Sequence, residues 1–126
     1  MEGNAINERV SPLRDCPESP NCVCTVASRS NQQMAPIAFI GSAAEMIERV
    51  VAVLEKEPRV QIAERRADYV RAVFVSLVFR FRDDVEFYAD QQTQLLHFRS
   101  ASRLGYSDLG ANRKRMERLA ERLRIR

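Results

Sequence analysis

Histidine occurs once in this sequence, at His97, and there is no Gly-x-Ser-x-Gly elbow. A Ser-His-Asp hydrolase therefore has no placed nucleophile. Cysteine occurs three times, at Cys16, Cys22 and Cys24, which is too few for a disulfide-dense miniprotein, and an odd count leaves at least one thiol unpaired. No apolar run reaches the roughly 18 residues of a membrane-spanning helix. No apolar stretch follows Met1, so a secretory signal is not expected and a cytoplasmic location is. Internal repeats are lacking. So are the aromatic interleaving of single-strand binders and any turn-helix signature, so nucleic acid is not the expected partner.

What remains is the composition of a folded domain. The chain has 126 residues, 45% hydrophobic and 29% charged, with a net charge of +3. That length suits one domain with a real core. The basic residues are nearly all arginine, because only Lys56 and Lys114 are lysines. Arginine favours forked pairing with carboxylate or phosphate. From Ala111 to Arg126 seven basic residues face two acidic ones, so this end carries +5 and the rest of the chain −2.

Residues 1–34 read as an irregular segment with a Cys-Pro-rich motif, and residues 35–126 as a single α+β domain. Ile37-Ala38-Phe39-Ile40 reads as a strand. Ser42 and Glu45 form a capping box ahead of a helix whose stripe is Ile47, Val50, Val51 and Leu54, and Pro58 stops it. Beyond Pro58 the period becomes 2. Val60 and Ile62 start a strand, Arg66-Ala67-Asp68 is a turn, and Tyr69 to Phe81 reads as one bent strand or two short ones. Phe79, Phe81, Val85 and Phe87 share a face with Asp83, while Arg80, Arg82, Asp84, Glu86 and Tyr88 take the other. Asp90 to Thr93 is a turn and Leu95 to Ser100 a strand. The last helix buries Met116, Leu119, Ala120 and Leu123 and turns Arg115, Arg118, Arg122 and Arg126 outward. The expected fold is an antiparallel sheet of about four to five strands packed by two helices, a two-layer sandwich.

Three groups of residues could carry chemistry. Pro17 and Pro20 bend the chain between Cys16 and Cys22 and bring the pair within bridging reach. A disulfide or structural thiols, a metal site and a catalytic thiol are all open there. Spacings of five and one between the cysteines favour the first over zinc, so no metal or cofactor is expected. Gly105 to Gly110 has the gap of a phosphate loop, but Ala111 and Asn112 follow instead of Lys and Ser/Thr. Asp108 also sets a negative charge at the helix start, which opposes phosphate. The third group joins Asp83, Asp84 and Glu86 on one strand with Arg99, Ser100, Ser102 and Arg103 on the next. Asp108, Asn112 and Arg113 at the head of the last helix complete it. Arg99 and Arg103 are expected to reach Asp83, Asp84 or Asp108, with Asp83 the more buried of the two neighbouring acids.

Cys16 with Pro20-Asn21-Cys22-Val23, Asp83-Asp84-Val85-Glu86-Phe87, and Arg99-Ser100-Ala101-Ser102-Arg103 with Gly105, Ser107-Asp108, Gly110, Asn112-Arg113 and Arg115 together form a pattern. It resembles the domain of unknown function 1499 family over residues 16–123. Cys24 departs from that pattern, which has serine there. The resemblance implies no activity, ligand or catalytic residue. The residues themselves point to a non-catalytic binding or accessory module with its acid–arginine cluster at one end of the sheet, open to a small anionic ligand. The alternative is a small enzyme acting on an anionic substrate through the same cluster. Oligomeric state is not legible.

Overall fold

The computed structural model describes residues 11–103 and 110–124. Ser42 caps the first helix, α1 (Ala43–Glu55). Its hydroxyl accepts from the Glu45 N–H, and the Glu45 carboxylate accepts from the Ser42 N–H, closing the capping box. Gly41 stands just before it at φ +101°, where a Cβ would meet the Glu45 carboxylate at 2.7 Å. Glycine thus leaves room for the box. The helix buries Met46, Ile47, Val50, Val51 and Leu54.

Six strands form one sheet: β1 (Cys22–Cys24), β2 (Ile37–Ala38), β3 (Val60–Arg66), β4 (Tyr69–Val75), β5 (Arg82–Asp90) and β6 (Leu95–Ser102). Their order is β1-β6-β5-β4-β3, with β2 also on β6, and every strand pairing is antiparallel. Short turns after β3, β4 and β5 enforce that pairing. The count exceeds four to five because β1 arises within the Cys-Pro segment, where three residues are too few to show a period. β5 begins at Arg82, so Phe79 does not extend its buried face; it lies in the connecting turn and is 74% exposed.

The last helix, α2 (Ala111–Arg124), buries Met116, Leu119, Ala120 and Leu123. Both helices pack on one face of the sheet, against Val70, Ala72, Phe74, Val85, Phe87, Leu96 and Phe98. This makes the α+β fold. The Arg49 guanidinium donates to the Leu123 carbonyl and joins the two helices. The other face is covered along one flank by the N-terminal segment, where Leu13, Cys16, Cys22, Cys24 and Ala27 pack with Tyr69 and Ala101. A 3-10 turn at Ser30–Gln32 leads back toward β2. Arg118 is exposed, whereas Arg122 is only half-exposed because it joins Arg118 on the Glu57 carboxylate; Arg126 lies outside the described residues.

Candidate functional site

Strand alternation divides the acid–arginine cluster between the two faces of the sheet. Asp83 points to the helix side. Its Oδ2 accepts from Arg115 Nη2 at 2.8 Å. Arg115 Nη1 also donates to Ser100 Oγ at 3.1 Å and to Asn112 Oδ1 at 2.8 Å, and the guanidinium sits 4.8 Å from the centre of the Phe74 ring. Asn112 is 1% exposed. Its Oδ1 accepts from Ser100 Oγ at 2.5 Å, and its Nδ2 donates to Asn21 O and Ser102 Oγ, both at 3.1 Å. One amide therefore fastens the first turn of α2 to β6 and to the residue before β1. Asp83 Oδ1 is buried without a hydrogen-bond partner among the described residues. Arg115 is thus not on the outer stripe of the helix. It lies beside the buried Asn112 and Met116 and turns inward because a buried carboxylate needs a counter-charge.

Asp84, Glu86 and Arg99 lie on the opposite face. Arg103 forks onto Asp84, with Nε to Oδ2 at 2.9 Å and Nη2 to Oδ1 at 3.1 Å, and Arg71 reaches Oδ1 at 3.3 Å. Partial burial alone would raise the Asp84 pKa. The hydrogen bonds and charge of Arg103, followed by those of Arg71, outweigh it and hold the carboxyl below its ordinary value. Arg99 does not reach Asp83 or Asp84. Register sets it opposite Glu86, and the two are 3.7 Å apart. Tyr69 donates to the other Glu86 oxygen at 2.5 Å. Burial, and then that hydrogen bond, push the Tyr69 phenol well up. Arg99 Nε is buried without a partner among the described residues.

Two other residues fall elsewhere. Arg113 faces the N-terminal segment and donates to Asn31 O at 3.0 Å and Gln33 O at 3.3 Å. Asp108 and Gly105 lie outside the described residues. Cys16 and Cys22 are joined by a disulfide with Cα atoms 5.8 Å apart, and Cys24 is a buried free cysteine. No group of residues suited to a metal ion occurs among the described residues.

Arg115 also lines a cleft of about 260 Å³ between the end of β4 and the first turns of α2. Arg59, Lys114 and Arg118 share its wall, and Glu57 is the one acid there among the described residues. Glu57 is engaged already, by Arg118 at 2.6 Å and by Arg122. Neither Arg59 nor Lys114 forms a salt bridge among the described residues. Arg59, which sequence reasoning did not single out, follows the helix-stopping Pro58 in the left-handed region at φ 55° and bonds back to Val75 O at 3.1 Å. No period or motif marks it; its place depends on the return of β4.

A protein-family model described as "Protein of unknown function (DUF1499)" matches residues 12–123. Comparison with curated proteins finds no match.

Proposed function

The chain belongs to the DUF1499 family of proteins of unknown function, and from that premise we propose that it is a non-catalytic binding module for a small anion. The ligand is a phosphate or carboxylate taken up in the cleft beside Arg115. One observation carries this reading: four cationic side chains line a small cleft whose only acid among the described residues is held by two arginines. Arginine forks and a lysine suit an anion of that size. The acid–arginine cluster is the scaffold of the site. Asp83 and Asn112 fix Arg115 at the wall, so the guanidinium is preorganised before the ligand arrives.

The same pairing supports binding over catalysis. A general acid or base must exchange a proton with substrate. Asp83 and Asp84 are each held by arginine, Glu86 accepts from Tyr69 and forms an ion pair with Arg99, and the two aspartates face opposite sides of the sheet. The compartment bears on the fold rather than on this site. A reducing cytoplasm keeps Cys16 and Cys22 as thiols, and an oxidising compartment keeps them bridged. No described helix is long and apolar enough to cross a membrane.

The test is a thermal melt in inorganic phosphate and in succinate against chloride at equal ionic strength. Either anion should raise the Tm of the parent by mass action. Lys114→Ala should keep the parental Tm in chloride and lose that rise. A Tm that follows ionic strength alone, or a rise that persists in Lys114→Ala, overturns the assignment.

A further inference from the structure

The turn between β4 and β5 runs Ser76-Leu77-Val78-Phe79-Arg80-Phe81. Leu77, Val78 and Phe79 are 65%, 76% and 74% exposed, three consecutive large apolar side chains in water. The turn is built to hold them there. Ser76 N donates to Phe81 O at 2.9 Å, Phe81 N donates to Ser76 Oγ at 2.8 Å, and the Phe79 and Phe81 rings stack at 5.4 Å. These bonds close the base of the hairpin and leave its tip projecting. None of the three tip residues joins a core cluster.

Beneath the tip lies a collar of arginines. Arg59, Arg80 and Arg82 line a cleft of about 590 Å³ along β3, β4 and β5, and no carboxylate among the described residues shares its wall. None of the three forms a salt bridge among the described residues, whereas Arg65, Arg66, Arg71, Arg99, Arg103 and Arg115 all do. Arg59, Arg80 and Arg82 thus stand together on one cleft at the base of the apolar tip, each without a salt bridge among the described residues.

We propose that this hairpin is a membrane-docking element that seats on an anionic lipid bilayer. Leu77, Val78 and Phe79 enter the boundary between headgroups and acyl chains, and Arg59, Arg80 and Arg82 bind headgroup phosphates. The charge chooses the partner: three cations without salt bridges among the described residues, beside an apolar tip, complement an anionic apolar interface. The shape agrees. A convex tip of three side chains suits a fluid layer that closes around it, with no pocket required of the partner. A tip of this size reaches only the interface, and the rest of the domain stays in water. The surface shares only Arg59 and Val75 with the small-anion cleft, and it needs neither Lys114 nor Arg115.

The full chain is sedimented with vesicles of phosphatidylcholine alone and of phosphatidylcholine mixed with phosphatidylglycerol. It should bind the mixed vesicles and leave the neutral ones. The triple variant Leu77→Ser, Val78→Ser, Phe79→Ser should weaken binding at least about tenfold with an unchanged Tm, since the loss is apolar contact with lipid. Arg80→Gln with Arg82→Gln should weaken it by about fivefold per arginine removed and flatten its salt dependence. The chain has no tryptophan, so Phe79→Trp adds a single indole at the tip. Its emission should shift to the blue on mixed vesicles only. Failure to bind mixed vesicles, or full binding by the triple variant, overturns the proposal. So does self-association of the parent that the triple variant abolishes, which would make a second copy the partner. Phosphate binding by Lys114→Ala is read separately, so either result can fail without the other.

Discussion

Asp83 and Asp84 are neighbours in the chain whose carboxylates stand on opposite faces of β5, one held by Arg115 of α2 and the other by Arg103 just beyond β6. Their environments differ accordingly. The Asp83 side chain is 9% exposed and that of Arg115 15%, whereas Asp84 is 25% exposed and Arg103 43%.

Removing each acid should therefore have unequal effects. Asp83→Ala leaves the Arg115 guanidinium without its counter-charge in a largely buried site and should cost about 3 kcal/mol of stability. Asp84→Ala removes a pair that water already screens and should cost less than about 1 kcal/mol. Urea unfolding of the two variants measures the difference. Equal losses would mean that the two faces are equally solvated.

The thiols should likewise separate into two kinds. Cys24 is buried, which pushes its pKa up, and its sulfur lies 3.7 Å from the Arg14 carbonyl. A buried protonated thiol is a poor nucleophile. With Cys16 and Cys22 bridged, a thiol reagent should find no reactive group in the folded protein and one after unfolding. Cys16→Ser with Cys22→Ser should lower stability by about 2 kcal/mol, the loop-closure value for so short a ring. A reactive thiol in the folded, oxidised protein would show that the N-terminal segment opens readily over this face.

The parts that sequence made legible are the parts decided locally. The α1 stripe and the Ser42–Glu45 box depend on residues within one or two turns of each other, and they stand where the spacing puts them. Alternation along β5 gives the burial of Asp83, Val85 and Phe87 directly. The same alternation misplaces Phe79, since a period of 2 reads alike in a buried strand and in an apolar turn. β1 was hidden because a three-residue strand owes its existence to β6, about 75 residues away by the Cys24↔Arg99 register. The partner of Arg99 was hidden for a related reason. Charge matching narrows the candidates to acids, but register selects Glu86 among them, and register is a property of two strands together. Arg59 and Lys114 carry no motif, so the cleft emerges only when the end of β4 meets the start of α2.

Acid should unfold the protein in two stages whose sources can be separated. His97 is half-buried on β6, with Thr25 Oγ1 2.9 Å from its Nδ1. Burial lowers its pKa below 6.5, and the nearby Asp90 charge only partly opposes that. The unfolded chain then binds the proton more tightly than the folded one, so this contribution is full above pH 6.5 and declines as the pH falls through that value toward the folded-state pKa. Asp84 is lowered from 3.8, so its contribution is full above pH 3.8 and declines only as the pH drops through its lower folded-state value. The urea midpoint should therefore begin to fall on the acid side of pH 6.5 and fall again below pH 3.8. His97→Gln should remove the first decline and leave the second. Asp84→Asn should do the reverse. A first decline that survives in His97→Gln would assign it to another group, because His97 is the chain's only histidine.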